Sequence, residues 1–331
     1  METKLRWGIL GSSMIARIAV IPAIQASETG IVRAVASRSE EKAKQTAEKF
    51  EIPFYYGSYE ELLADPEIDA VYIPLPNHLH YEWTIRSAQA GKHILCEKPL
   101  ALNSTQAGKM VAACEEAGVR LSEAFMYRFH PRIERIQEII RSGEIGEIRA
   151  MHGSFTFNNA AKESDIRFHA DWGGGGLYDV GCYPLSAARL ILGQEPEAVT
   201  CHALFSPNHG DVDMMASGLV EFPGGVALTF DCGMWAEFRH TLEILGTKGR
   251  IVLPQAFLAG DTAHNFLVIT GKEQREEQPD PCNPYLLEVD DFARNVAKLQ
   301  TPRFPPQDAI LNMRLLEACL RSARERKRII L

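Results

Sequence analysis

No run of apolar residues in this 331-residue chain reaches the ~18 that a membrane-crossing helix requires. Cysteine is sparse: seven residues, odd in number, scattered and mostly inside apolar runs. That usage suits buried, reduced thiols and argues against a disulfide framework. No Cys/His grouping has the spacing of a zinc site; His78 and His80 come nearest and lack cysteine or carboxylate ligands close by, so no metal is expected. Positive charge is in deficit, with 35 Lys and Arg against 43 Asp and Glu and a net charge of −8. A chain without a basic stripe lacks the electrostatic footprint of a nucleic-acid binder. The short cluster Arg324-Glu325-Arg326-Lys327-Arg328 reads as cations at the end of a last helix, where the dipole favours them. There is no internal repeat, no low-complexity segment, and no signal-peptide pattern ahead of the first strand, so a cytoplasmic location is expected.

What is present is ordinary for a globular protein: 46% hydrophobic and 24% charged residues, in a length that accommodates two domains. Over residues 1–124 short apolar runs alternate with amphipathic stretches. Leu5–Leu10, Ile31–Ser37, Ala70–Ile73, His93–Cys96 and Arg120–Ala124 read as strands. Met14–Ala26, Glu40–Phe50, Tyr81–Ala90 and Ser104–Glu116 read as helices. Such alternation implies a parallel sheet with helices on both faces. The pattern changes near residue 125. After a helix at Pro131–Ser142, strand-like stretches follow one another without helices between them: Ile148–Phe157, Ala198–Leu204, Ala216–Phe222, Val226–Cys232, His240–Leu245 and Phe266–Thr270. This spacing argues an antiparallel sheet. Helices near Tyr178–Leu192, Tyr285–Leu299 and Asp308–Arg326 complete the second half. The expected architecture is an α/β dinucleotide-binding domain over 1–124, then an α+β domain with a large, open, mainly antiparallel sheet over 125–331.

The first strand runs into Gly11-Ser12-Ser13-Met14-Ile15-Ala16. Set on the G-x-G-x-x-G/A fingerprint, Gly11 makes the tight turn and Ala16 allows helix–strand packing. Ser13 replaces the usual middle glycine, where its hydroxyl can donate to a phosphate. The second strand ends at Ser37-Arg38, where an NAD site usually carries a carboxylate for the ribose hydroxyls. Ser37 has no charge to repel a 2′-phosphate and Arg38 can clamp one, so NADP is favoured, with NAD the alternative. Leu75, Pro76 and Asn77 follow another strand in a proline-stiffened loop beside the expected cofactor, with His80 opening the next helix. Glu97-Lys98-Pro99 ends the run His93–Cys96, placing a lysine on the rim of the parallel sheet, where open α/β sheets bind ligands. The Lys98–Pro99 bond is a candidate cis peptide.

These segments, together with Asp179-Val180-Gly181-Cys182-Tyr183, resemble one family over essentially the whole chain. It is the glucose–fructose oxidoreductase, inositol dehydrogenase and rhizopine-catabolism family. The resemblance implies a Rossmann domain followed by an open-sheet domain, and hydride chemistry on sugars, cyclitols and their derivatives with NAD(P). Many members carry histidine where this chain has Tyr183. Tyrosine there, and Glu123–Pro131, resemble the branch of NADP-dependent D-xylose dehydrogenases and dimeric dihydrodiol dehydrogenases. On this reading Lys98 and Tyr183 handle the substrate proton and Asp179, one helical turn before Tyr183, orients substrate hydroxyls. Glu97 fixes the lysine or touches the nicotinamide end. Arg128 faces the cleft and holds substrate or cofactor, and Arg167 and Trp172, before the glycine run 173–176, close over either. Tyr285 and Glu288 are weaker candidates from the second domain. An apolar sheet face that forms a homodimer or higher homo-oligomer is also implied. The competing functions are trans-dihydrodiol oxidation and a non-catalytic dinucleotide-binding regulator.

Overall fold

The first strand, β1 (Leu5–Leu10), is buried at nearly every position, as a strand covered on both faces must be. In the computed structural model, which describes residues 4–258, 265–298 and 300–331, the chain divides into two compact units. One comprises Met1–Phe129 with Asn283–Ile310; the other comprises His130–Cys282 with Leu311–Leu331.

The first unit holds a six-stranded sheet of β1, β2 (Gly30–Ala36), β3 (Phe54–Tyr56), β4 (Ala70–Ile73), β5 (His93–Glu97) and β6 (Leu121–Ala124). Their order is β3-β2-β1-β4-β5-β6 and every pair is parallel. The order reverses between β1 and β4, the switch point at which doubly wound sheets bind dinucleotides. The helices are α1 (Ile21–Ala26), α2 (Glu40–Phe50), α3 (Tyr59–Ala64), α4 (Asn77–Gln89) and α5 (Ser104–Glu116). Side-chain oxygens of Ser39, Ser58 and Asn103 cap the starts of α2, α3 and α5, accepting from the N–H groups of Lys42, Glu61 and Gln106. The helix expected over Met14–Ala26 widens into a π-helical turn at Ala16–Val20 before α1 begins. Pro22 has no N–H to offer the carbonyl four residues back. Likewise α4 starts at Asn77 rather than Tyr81, because Pro76 presets the backbone for helix entry.

The second unit opens with α6 (Pro131–Arg141). It then builds a nine-stranded sheet from β7 (Ile148–Asn158), β8 (Ala198–Ser206), β9 (Val212–Glu221), β10 (Ala227–Gly233), β11 (Trp235–Gly246), β12 (Gly249–Leu253), β13 (Phe266–Thr270), β14 (Glu273–Glu277) and β15 (Ile329–Ile330). The order is β14-β13-β12-β11-β7-β10-β9-β8-β15. All pairings are antiparallel except β7 with β10. A π-helical turn at Leu177–Gly181 leads into α7 (Cys182–Leu192). The open face of this sheet, expected to be apolar, is mixed: a groove of about 540 Å³ is lined by Ser154, Thr229, Asp231, Arg239, Thr241 and Glu243 beside Phe230 and Leu242. Ser154 donates to Asp231 at 2.7 Å and Arg239 to Ser154 at 2.8 Å, so these polar groups satisfy one another.

Two helices close the account, α8 (Pro284–Val296) and α9 (Gln307–Glu325). The sequence reading placed α8 with the second domain. The structure packs it in the first unit, where Val289, Phe292 and Ala293 join the core of Trp7, Ile9, Val20 and Ile24. The Phe292 ring lies 5.2 Å from that of Trp7. The reason is local: the apolar face of α8 needs a covered surface, and β1 and its flanking helix supply one. The expected end of this helix at Leu299 lies outside the described residues. If α8 completes the first unit's core, Phe292→Ala should lower stability by about 3–5 kcal/mol, read as a shifted urea midpoint; a change below about 1 kcal/mol would contradict this packing.

Candidate functional site

In the first unit the site grows from the strand ends. Gly11, directly after β1, has φ +111°, a conformation that side chains rarely adopt, and a Cβ there would lie 3.0 Å from Leu75. Its N–H donates to Ala36 O at 2.8 Å, tying the loop to the end of β2. Ser13 Oγ accepts from Ala16 N–H at 3.2 Å, so this hydroxyl secures the helix start and keeps its own proton to donate. Ser12, Met14 and Ile15 complete the loop, Met14 with its side chain exposed. Ser37 is buried at the end of β2, whereas Arg38 is exposed. Next to the loop lies a pocket of about 330 Å³ lined by Ser12, Arg17, Lys42, Gln45, Thr46 and Lys49. Three cations and no carboxylate line it. Lys42 and Lys49 on α2, and Arg17 on the π-helical turn before α1, escaped the sequence reading because folding brings the two helices together; the i, i+3/i+4 spacing of Lys42 and Lys49 with Ser39 and Gln45 is the signal that was available.

At the ends of β4 and β5, Leu75 and His80 are buried and Asn77 opens α4. His80 is fully buried with Nδ1 3.0 Å from Pro99 O and Nε2 2.7 Å from Leu75 O. Burial holds its pKa down to about 4, so the neutral ring donates one N–H between the loops that follow β4 and β5. Its place is therefore structural. The Lys98–Pro99 peptide is cis, and Lys98 is half-buried on the rim.

Glu97 is held from behind: Tyr72 donates its hydroxyl to Glu97 Oε1 at 2.5 Å. Tyr285 and Glu288, assigned to the second domain by the sequence, lie in the first unit with α8 and face Glu97. Glu288 is 2% exposed, and its Oε1 has no hydrogen-bond partner among the described residues. Burial first, and the neighbouring Glu97 charge second, push its pKa far above the usual carboxylate range, so it is held as a neutral acid. Arg128, expected to face a cleft, is 3% exposed instead. It pairs with Asp308 at 2.7 Å and lies over the rings of Phe125 and Phe304. A buried guanidinium is stable only when so engaged, and here it anchors the last turn of the N-terminal segment.

In the second unit Asp179 and Tyr183 lie on one continuous helix, across the junction of its π turn and α7. Arg167 donates through Nε to Asp179 at 2.6 Å and pairs with Asp165 at 3.1 Å. Its role in this unit is thus to orient Asp179. Tyr183 is 5% exposed, with its ring 5.2 Å from Phe155 and 5.5 Å from Phe257. Trp172 is exposed and stacks on His169 at 4.1 Å. Phe155 and Phe257, which frame the candidate tyrosine, were not singled out in the sequence.

The parallel order with a glycine turn at its switch point, followed by the open mixed sheet, fits one family in both halves. Residues 5–125 match the model of an oxidoreductase family with an NAD-binding Rossmann fold, and residues 133–252 match the GFO/IDH/MocA C-terminal domain. The chain belongs to the GFO/IDH/MocA family of oxidoreductases. It is a dehydrogenase-type enzyme of this family. It is similar to an NADP(+) D-xylose 1-dehydrogenase of Haloferax volcanii, with 40% identity over 96% of this chain and 97% of the relative. A trans-1,2-dihydrobenzene-1,2-diol dehydrogenase of Mus musculus is 36% identical over 84% of this chain and 80% of its own. Among solved structures, a 3-ketoreductase from Actinomadura kijaniata in complex with NADP and TDP-benzene superposes with a TM-score of 0.92. It is 32% identical and the match covers 97% and 98% of the two chains. Among the described residues of this GFO/IDH/MocA oxidoreductase, no helix is long and apolar enough to cross a membrane.

The neutral state of Glu288 has a definite pH signature. An acid whose folded pKa is raised contributes stability at low pH that is lost as pH rises above the ordinary carboxylate range. Glu288→Gln should therefore match the wild type at pH 5 and exceed it at pH 8 by about 1 kcal/mol or more. Urea unfolding of both proteins at the two pH values measures the difference; equal stability at pH 8 would mean that Glu288 is not held neutral.

Proposed function

We propose that this oxidoreductase is an NADP-linked dehydrogenase of sugars or related polyols, moving a hydride to or from a carbon that bears a hydroxyl. The observation that carries the cofactor choice is the cationic pocket of Arg17, Lys42 and Lys49 beside Ser12, together with Ser37-Arg38 in place of an acidic residue. A 2′-phosphate finds there charge of the right sign and no carboxylate to repel it. The Gly11 turn, at a positive φ that side chains rarely adopt, suits close approach of a pyrophosphate to backbone N–H groups. D-xylose dehydrogenation and NADP binding by the relatives support the same reading.

When bound, the nicotinamide supplies or accepts the hydride. The chain's own residues handle the proton and the orientation. An unperturbed tyrosine, with a pKa of about 10, is a poor base at neutral pH. We assign the substrate hydroxyl proton to Tyr183 and give Lys98 the role of favouring the phenolate through its positive charge. Asp179, steadied by Arg167, orients substrate hydroxyls. Trp172 is proposed to cover cofactor or sugar. Tyr285 remains a substrate-facing candidate from the first unit. A second reading, trans-dihydrodiol oxidation, is favoured by the aromatic surroundings of Tyr183, because Phe155 and Phe257 suit an apolar ring. Self-association through the mixed open sheet face belongs to the same proposal, and light scattering on the purified protein tests it.

Activity with NADP and NAD against a panel of aldoses, inositols and dihydrodiols is the decisive assay; absence of NADP turnover on every member would overturn the proposal. Arg38→Ala and Lys42→Ala should each raise the KM for NADP about tenfold or more while changing that for NAD little, as loss of a charge-assisted contact to phosphate predicts. Lys98→Met should lower kcat by about 100-fold or more, as removal of a charge acting in the transition state would, with NADP affinity kept within about tenfold. Near-normal turnover in that variant would remove Lys98 from the mechanism.

A further inference from the structure

Asp213, near the start of β9, is a carboxylate with 1% of its surface exposed, and no salt-bridge partner lies within 4 Å of it among the described residues. Its Oδ2 accepts the N–H of Leu177 at 2.6 Å. Its Oδ1 occupies the space that a side chain at residue 175 would fill: a Cβ on Gly175 would lie 2.0 Å from this oxygen, and Gly175 has φ +110°. Leu177 begins the helix that carries Asp179 and Tyr183, so the carboxylate is seated at the orphan N–H groups of that helix.

We propose that Asp213 is a positioning residue of the reaction: by accepting the Leu177 N–H and packing against Gly175 it fixes the first helical turn from which Asp179 and Tyr183 project. This rests on the roles proposed above for those two residues. The glycine run is then explained by the carboxylate that packs into it, with Gly174 likewise pressed against the carbonyl of Arg167.

The device is pH-dependent. Burial raises the Asp213 carboxyl to about 7, while the N–H donors of Leu177 and Gly176 and the more distant Arg324 pull it down. The other titratable groups around it are Tyr178 on the same helical turn, Cys201 on β8, Cys232 on β10 and Cys319 on α9. All four are pushed upward by burial first and stay neutral near pH 7, so they add no competing titration. Above pH 7 the ionised carboxylate holds the N–H groups most strongly. The sign for global stability is opposite: stability is complete below the unfolded carboxylate pKa and declines as pH rises through about 7. A locally firmer helix start thus coincides with a less stable fold.

Hydrogen exchange over residues 174–183, corrected for intrinsic rates, reads the local effect without any substrate. It therefore tests Asp213 separately from the assignment of the reaction. Protection in the wild type should rise about tenfold between pH 5.5 and 8.5, the size of a hydrogen bond gaining a charged acceptor. The segment Ser104–Glu116 serves as an internal reference and should stay flat. In Asp213→Asn the rise should vanish, and on an active substrate kcat at pH 8 should fall about tenfold with KM within about twofold. The rise of kcat through pH 7 should also be lost. Wild-type protection that is independent of pH, or an unchanged pH limb in Asp213→Asn, would overturn the proposal. The wild-type exchange profile alone decides the matter if the variant does not fold.

Discussion

In a parallel sheet every strand ends on the same edge, and that constraint organises the first unit. Crossover connections are right-handed, so the chain returns to the starting edge before each new strand. The Gly11 turn, Ser37-Arg38, the Leu75–Asn77 loop and Glu97-Lys98 are therefore gathered at one edge although they span most of a hundred residues of sequence. The edge alone would leave loops loose. His80 supplies the tie, a buried ring set between the carbonyls of Leu75 and Pro99, the loops that flank the candidate lysine. Tyr72 adds a second restraint by fixing the carboxylate next to Lys98.

Much of this was legible because the relevant patterns are local. The alternation of short apolar runs with amphipathic stretches marks β1 to β6, and a glycine turn between strand and helix marks the cofactor loop. Helices with a Ser or Asn cap, such as Glu40–Phe50 and Ser104–Glu116, coincide with the structure at both ends. What sequence could not show depends on partners far along the chain. Strands β12, β14 and β15 were missed: β12 directly follows the Thr247-Lys248-Gly249 turn, β15 has only two residues, and β14, Glu273–Glu277, is a wholly polar strand paired to β13. Arg128 looked available for a ligand in sequence; the carboxylate it pairs with, Asp308, lies 180 residues further along the chain. Asp213 carried no signal at all, since its significance lies in the space above Gly175.

Two acids, Glu288 and Asp213, share a physical situation with opposite local solutions. Burial disfavours the charge of both. At Glu288 the charge of Glu97 reinforces burial, and together they outweigh the Phe125 N–H and the Arg128 charge, keeping the group neutral. At Asp213 the Leu177 N–H leads the groups that oppose burial, and no neighbouring carboxylate among the described residues adds to it, so the group is balanced near neutrality. A neighbouring like charge, more than depth of burial, thus decides which acid is a fixed neutral group and which one titrates.

The return of α8 to the first unit also sets an order of events during synthesis. A nascent chain emerges N-terminus first and its domains generally fold as units. Here the ring that closes over Trp7 belongs to Phe292, and it is made only after β7 to β14 have left the ribosome. The half that carries the Rossmann sheet is therefore begun first and completed only after most of the other unit's strands, and until then its central strand waits without the Phe292 ring over Trp7.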